Sequence, residues 1–364
     1  LKWVMEQPNP DCSVKLKYNP LFSIVTPVYN VSSVYLSECI DSVLNQKYEN
    51  WELLLVDDKS TNQDTLDCLK KYEKLDKRIR VIYRSKNGNI ALATNTGFKE
   101  AKGEYIGLLD NDDTLSLDAL YQMAKRINRD KKTDFLYSDE DKLDSEGKRC
   151  TPYFKSDFAP DTLLSNNYIC HFTVFKKSLL DKVGGEKTEF NGAQDYDLFL
   201  RLTEKAEKIE HISRILYHWR IIKGSTSESI AEKSYAILAG QKAIEDALKR
   251  RKIKGYVTSN NDGTYVVHYE TNKPSITIII PTKDYASTLK TCIDSIYEKS
   301  TYPNYDILVV NNNSEEEETF ALFAEYKKAH ENFNVIDLNC PFNFAYLMNE
   351  AVKKAKGDYL LFLN

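Results

Sequence analysis

The sequence predicts an α/β protein on parallel sheets, with one complete module followed by the N-terminal part of a second. Three observations carry this. Short β-rich runs alternate with helical patterns, as in successive βαβ units. The alternation recurs far along the chain in the same order. The strand closing the first round, Tyr105 to Leu109, is an apolar run suited to burial on both faces and leads straight into Asp110, Asp112 and Asp113. In an open α/β sheet the ligand crevice lies beyond the carboxyl ends of the strands. Carboxylates gathered there repel one another unless a cation neutralises them. A hard divalent cation bound through oxygens, able to hold a diphosphate as well, suits such a cluster. The other reading is an acidic turn leading into the next helix, with Ser116 as its N-cap.

The elements follow in order. Residues 22–26 are β-rich and meet Pro27, which should end the strand. Leu36, Cys39, Ile40 and Val43 then fall on one face of a helix. A buried strand from Trp51 to Val56 ends in Asp57-Asp58, a helix and a strand near 79–83 follow, and a helix around 90–101 leads to the acidic strand. The polar strand ends, Tyr29-Asn30, Asp57-Asp58 and Asp110 to Asp113, should therefore gather at one edge of the sheet. Beyond them, Leu117, Leu120, Tyr121, Ala124 and Ile127 mark an amphipathic helix, and Phe135 to Asp141 a second strand ending in acid. Residues 172–175 read as a strand, 177–183 as a helix stopped by Gly184-Gly185, and 194–202 as a helix with Asp195 in its first turn. A long helix, 233–251, closes the module with a basic end, Lys249 to Lys252. That end suits either contact with anionic lipid or a solvated terminus favoured by the helix dipole. Residues 253–274, with Asn-Asn-Asp-Gly at 260–263, read as a hairpin linker.

The recurrence is in register. Pro27 matches Pro281, 254 residues on; Leu54 to Ser60 matches Leu308 to Ser314, and Ala101 to Tyr105 matches Ala355 to Tyr359, at the same offset. Cys39-Ile-Asp-Ser42 matches Cys292-Ile-Asp-Ser295 at 253, so one residue is gained or lost between. The expected organisation is an N-terminal extension (1–20), a first module (21–252), the hairpin linker (253–274) and the nucleotide-binding part of a second module (275–364).

Composition sets the limits. The 364 residues can fill two cores, and 42% hydrophobic with 29% charged residues is ordinary for a globular protein. A net charge of −4 speaks against nucleic acid as partner. No apolar run approaches the roughly 20 residues that span a bilayer. Seven widely spaced cysteines without a Cys-x-x-Cys pair fit a reduced, cytoplasmic protein rather than a disulfide scaffold or zinc site. The start at Leu1 rather than Met reads as that of a fragment.

Taken together, Thr-Pro-Val-Tyr-Asn (26–30), Val-Asp-Asp-Lys-Ser (56–60), Leu-Asp-Asn-Asp-Asp (109–113), Tyr-Ser-Asp-Glu-Asp-Lys (137–142), Asn-Gly-Ala-Gln-Asp-Tyr-Asp-Leu (191–198) and Leu-Tyr-His-Trp-Arg (216–220) followed by Gly-Ser-Thr (224–226) form an ordered set. Each motif is weak alone. The set resembles the family 2 glycosyltransferases of the GT-A fold, closest to the tandem type of bacterial surface polysaccharide and O-antigen assembly. The resemblance implies a Rossmann-like nucleotide-diphospho-sugar transferase fold and a metal-dependent, inverting transfer of sugar to a hydroxyl. The donor would be a UDP-, dTDP- or GDP-sugar, and the acceptor a saccharide, lipid-linked as the resemblance implies, at the inner face of the plasma membrane.

Residue by residue, the resemblance assigns Tyr29 and Asp58, with Pro27, to the nucleobase. Their bland roles are a core aromatic and a helix cap. Asp110 and Asp112 become the Asp-x-Asp motif beside Asn111, with Mn²⁺ or Mg²⁺ on Asp112, Asp110 on the ribose or the metal's water, and His218 completing the metal shell. A structural His218 beside Trp219 is the alternative. Arg220 and Ser225 would hold the diphosphate or a closing loop. Asp195 would be the general base that takes the acceptor's proton, with Asp197 the weaker candidate. Asp139 and Glu140 would line the acceptor side or form a solvated acidic turn, and His171 is read as structural. In the second copy Asn311-Asn312 replaces Asp57-Asp58 and Asn364 aligns with Asp110, so that copy is expected to be inactive, its strand 359–363 lacking neighbours. Two functions stay open: an active transferase, or a non-catalytic scaffold or saccharide-binding protein on the same fold. A nucleotidyltransferase would need a glycine-rich, Arg-containing opening loop that is missing.

Overall fold

The computed structural model describes residues 12–222 and 234–364. Contacts divide the chain into two units, Leu1–Tyr269 and Glu270–Asn364. In the first, β1 (Phe22–Val28), β2 (Trp51–Asp57), β3 (Ile79–Tyr83) and β4 (Tyr105–Leu108) are parallel neighbours in the order β3-β2-β1-β4. The side chains of β1, β2 and β4 are largely buried because helices cover both faces: Leu36, Cys39, Ile40 and Val43 of helix Ser33–Leu44 on one, Phe98 of helix Asn89–Glu100 on the other.

Pro27 does not end β1. The strand runs three residues past its last pair with β4, Val25 opposite Leu108, and Pro27 lies opposite Val56 of β2. A residue without an N–H is tolerated because the β4 edge has already been left. Ser116 is not the cap of helix Ala119–Arg129 either; Asp118 holds the N-cap position and Ser116 donates its hydroxyl to Asp118.

The sheet continues in mixed fashion. After β5 (Thr114–Leu115), β6 (Phe135–Leu143), β7 (Arg149–Tyr153), β8 (Thr173–Lys176) and β9 (Ile209–Arg220), the path reads β4-β8-β6-β9-β5, with β7 alongside β6. β8 is antiparallel to both β4 and β6, whereas β9 is parallel to β6. The wholly parallel sheet expected from the βαβ pattern is thus confined to the first four strands. β9 escaped the sequence reading because its apolar residues are interrupted by Glu210, His211, Ser213 and Arg214.

The hairpin β10 (Gly255–Ser259) and β11 (Tyr265–Tyr269) is built into the first unit. Tyr265 is buried with Tyr196 and Ile244 in the core, and its N–H bonds Ser165 O at 2.8 Å. At the basic end of helix Ser234–Arg251, Arg250 and Arg251 share the single carboxylate of Glu204. No helix among the described residues is long and apolar enough to cross a membrane.

In the second unit β12 (Ile276–Thr282), β13 (Tyr305–Asn311), β14 (Phe333–Asp337) and β15 (Tyr359–Phe362) form a parallel sheet in the order β14-β13-β12-β15. The repeat holds at the level of register. Phe22 faces Trp51 and Tyr105 in one copy, and Ile276 faces Tyr305 and Tyr359 in the other, each 254 residues on. Its polar fastenings recur too: Asn30 Oδ1 accepts from Thr61 N and Asn62 N, as Asp284 Oδ1 does from Glu315 N and Glu316 N. β15 does have a neighbour, β12, along one edge; its side chains stay exposed.

One close approach tests the packing. A Cβ on Gly97 would meet Val25 Cγ1 at 2.4 Å, and Val25 is fully buried. Gly97→Ala is expected to cost about 1–3 kcal/mol by overpacking, more than the ~1 kcal/mol alanine gains in a helix. A urea midpoint equal to the parent's would contradict this.

Candidate functional site

The carboxyl ends of β1, β2 and β4 open into a cavity of about 1080 Å³. Its lining includes Pro27, Tyr29 and Asp58 at the ends of β1 and β2, Asp110, Asn111 and Asp112 beyond β4, and His171, Asn167, Glu186, Asn191 and Asp195 from later segments.

Tyr29 is 51% exposed, which excludes the core-aromatic role. Asp58 is 3% exposed, pairs with Arg84, and accepts Gly88 N at 3.0 Å, at the start of helix Asn89–Glu100. It therefore anchors that helix start while lining the cavity. In the second copy Asn312 instead donates its amide to Leu338 O and Cys340 O, each at 2.9 Å. The Arg84 position is a leucine there, so the fastening changes from ion pair to amide.

The acidic turn is held from behind. Asn111 Nδ2 donates to Pro27 O at 2.7 Å, tying it to the end of β1. Asp113 is fully buried, and its two oxygens accept Arg220 N at 2.7 Å and the Tyr217 hydroxyl at 2.5 Å. Arg220 Nε reaches Asp112 O at 2.8 Å, and its guanidinium pairs with Glu38 over the Tyr35 ring. Arg220 thus lies under the turn and outside the cavity lining. Ser225 lies outside the described residues.

Asp110, Asp113 and His171 bring potential metal-ligand atoms within 4.8 Å of one another. Of this trio, Asp110 and Asp113 stood in the acidic cluster read from the sequence, whereas His171 was expected to be structural. His171 Nε2 is 3.9 Å from Asp110 Oδ2, and its ring stacks on Tyr217 at 4.4 Å. Asp113 already spends both oxygens on Arg220 and Tyr217, so the groups facing the cavity are Asp110, Asp112 and His171. His218 lies apart from the cluster, with Nδ1 2.5 Å from Asp141 Oδ1. Burial, then the neighbouring Asp110, pushes the Asp112 carboxyl up to about 6. Burial, with Asp112 and Asp110, holds Asp113 far above the carboxylate range. Crowded carboxylates and an imidazole are a donor set that fits Mn²⁺ or Mg²⁺.

Strand alternation separates the two acids of β6. Asp139 points into the core, accepting Lys155 N at 2.9 Å and pairing with His211 at 2.8 Å. Glu140 lines the cavity, bonded to Lys155 Nζ at 2.9 Å and His171 N at 3.1 Å. Neither is a solvated turn. Lys155, whose side chain is fully buried, was not singled out in the sequence; it also donates to Ile169 O at 2.6 Å and so orients the segment carrying His171.

Helix Gln194–Thr203 sorts its two acids in the same way. Asp197 is fully buried and pairs with Arg201 at 2.6 Å. Asp195, in the first turn, lines the cavity and accepts Asn167 Nδ2 at 3.0 Å. Burial raises its carboxyl above the ordinary range, an effect eased by His171 and Tyr196 N and reinforced by Asp110.

Proteins of known sequence and structure fit this geometry. The sequence profile of glycosyl transferase family 2 matches residues 23–184 and 277–364. The O-antigen biosynthesis protein RfbC of Myxococcus xanthus is 39% identical over 96% of this chain and 27% of its own length. The chain spans between about a quarter and two fifths of the length of the first two curated relatives. Among solved structures, S. aureus TarS 1-349 in complex with UDP-GlcNAc superposes with a TM-score of 0.52 at 22% identity, over 62% of this chain and 66% of that one. The mannosyltransferase PcManGT from Pyrobaculum calidifontis, in complex with GDP-Man and Mn²⁺, gives a TM-score of 0.50 at 18% identity, over 68% and 72%. At such identities the likeness is one of fold.

Proposed function

The chain belongs to glycosyl transferase family 2, and we propose that its first unit is a metal-dependent, inverting glycosyltransferase of bacterial surface polysaccharide synthesis. The observation that carries this is that one cavity is lined by Tyr29 and Asp58 at the ends of β1 and β2, by Asp110 and Asp112 beyond β4, and by Asp195. Together these supply groups suited to a nucleoside, a diphosphate and a reacting sugar. The similarity to an O-antigen biosynthesis protein supports the pathway, and the folds shared with proteins holding UDP-GlcNAc or GDP-Man with Mn²⁺ support a nucleotide sugar.

In this reading Tyr29 offers a ring face to the base and Asp58 a hydrogen-bonding edge. Asp110, Asp112 and His171 would hold Mn²⁺ or Mg²⁺, which when bound neutralises charge on the diphosphate leaving group. Asp195 accepts the proton of the acceptor hydroxyl as the new bond forms, and direct displacement inverts the anomeric centre. Glu140 stands on the acceptor side. The acceptor is a saccharide, lipid-linked in the reading given by the sequence, met at the inner membrane face.

The test is release of nucleotide from a panel of UDP-, dTDP- and GDP-sugars by the purified protein, with Mn²⁺ and with chelator. Metal-dependent turnover of one donor is the expected result. Calorimetry showing no metal-dependent nucleotide binding would favour the scaffold reading instead.

A further inference from the structure

Among the described residues, three cavity-lining side chains carry a buried oxygen with no hydrogen-bond partner: Asn167 Oδ1, Glu186 Oε2 and Asn191 Oδ1. Asn167 bonds Asp195, and the Glu186 carboxyl feels the Asp195 charge. Leaving a buried acceptor unpaired is costly, so three on the lining of one cavity call for a common reason.

Glu186 is the least ordinary of them. It is 7% exposed, and both backbone polar groups are fastened to Asn95 of helix Asn89–Glu100, N–H to Oδ1 at 2.9 Å and C=O from Nδ2 at 2.7 Å. The Gly184-Gly185 turn before it is gripped by Arg201, whose guanidinium donates to Gly184 O at 3.0 Å and Gly185 O at 2.9 Å while paired with Asp197. The backbone is pinned on both sides, yet Oε2 is left without a partner, the carboxyl being eased only by the Thr94 hydroxyl and the charge of Arg201. Burial, then Asp195 and Asp110, raises it well above the usual range.

We propose that Glu186, together with Asn167 and Asn191, reads the hydroxyl groups of the sugar carried by the donor and so selects which sugar is transferred. This rests on the nucleotide-sugar reading above and deepens it. Two amide carbonyls and a carboxyl supply acceptors at several angles, which a pyranose ring of hydroxyl donors can satisfy. Asp195 lies in the same group, held by Asn167, so the sugar they bind is the one whose anomeric carbon faces the base. A pocket that hydrogen-bonds a hydroxyl rejects the analogue lacking it far more strongly than an apolar pocket rejects an extra group. Glu186 is therefore a specificity residue, distinct in role from the metal and nucleobase residues.

The experiment compares Glu186→Leu and Glu186→Gln with the parent by calorimetry in Mn²⁺, using UDP, dTDP and GDP alone, UDP-GlcNAc, dTDP-rhamnose, GDP-mannose and Mn²⁺ alone. Glu186→Leu is expected to bind free nucleotide and Mn²⁺ like the parent, and to lose about tenfold in affinity for the sugar nucleotide that the parent prefers. Glu186→Gln, which keeps an acceptor, should recover most of that loss. Thermal melting should show Glu186→Leu no less stable than the parent, because it removes a buried carboxyl with one oxygen unpartnered that lies in the field of Asp195 and Asp110. Equal affinity of Glu186→Leu for sugar nucleotide and free nucleotide relative to the parent overturns the proposal. A lowered melting temperature with parallel losses for every ligand would make Glu186 structural, and weaker binding of Mn²⁺ alone would make it a cation ligand. A parent that binds none of the nucleotides overturns the nucleotide-sugar reading itself, and the sugar site with it.

Discussion

Asp195→Asn is expected to lower the rate of sugar transfer by about 10²–10⁴-fold while leaving metal-dependent nucleotide binding unchanged. The substitution preserves shape and keeps an oxygen for Asn167 Nδ2, which now bonds Asp195 Oδ2 at 3.0 Å. What it removes is the basic lone pair that accepts the acceptor's proton. The same carboxyl predicts a pH profile. Burial raises it above the ordinary range, so it is protonated, and useless as a base, at a pH where an exposed aspartate is still ionised. The acid limb of kcat/KM should therefore stand above the usual carboxylate value of about 4, activity falling as pH falls through it. Transfer by Asp195→Asn at the parent's rate would remove Asp195 from the mechanism, and an acid limb at the ordinary value would mean that the base is a solvated group. Melting temperature separates the chemical role from a structural one: a neutral amide in a buried position should leave it unchanged or raise it.

How much of this was legible in the sequence depends on distance along the chain. The parallel strands and the 254-residue repeat were readable because each strand and helix writes its own periodicity, and because two copies of one pattern corroborate each other. The acidic turn and Asp195 were readable for the same local reason: one terminates a buried strand, the other opens a helix. The partners of those groups were not. His171 comes beside Asp110 only because β8 lies antiparallel to β4, a pairing across 66 or more residues that no local pattern encodes. Lys155 looked like any surface lysine until β6 and β7 closed over it. Conversely, Arg220 and His218 sit in a suggestive motif, yet the fold turns one under the acidic turn and pairs the other with Asp141. Glu186 left one usable signal, an acid directly after Gly184-Gly185, where a helix-stopping turn is usually followed by something less costly to bury.

Asp110→Asn should separate the two readings of the acidic turn by moving stability and binding in opposite directions. If Asp110 and Asp112 gather to hold a cation, the metal-free protein bears the repulsion of the cluster. Asp112 records it, pushed up to about 6 by burial and then by Asp110. A carboxyl whose folded-state value is raised supplies stability that is fully present below its unfolded value of about 4 and is lost as pH rises through the folded value. The metal-free parent should therefore melt lower at pH 8 than at pH 5. Asp110→Asn removes one charge from the cluster, so its melting temperature in chelator should exceed the parent's at pH 8 and fall less between the two. In Mn²⁺ the order reverses: the parent gains stability from nucleotide by mass action, and the variant, with a ligand lost, should bind UDP or GDP at least tenfold more weakly. An acidic turn that merely leads into helix Ala119–Arg129 shares the result in chelator, because the repulsion needs no cation site, but predicts no loss of nucleotide binding in Mn²⁺. In that case Asp110→Asn would bind nucleotide as the parent does, and the charge on Asp110 would matter only to Asp112 and Asp113 behind it.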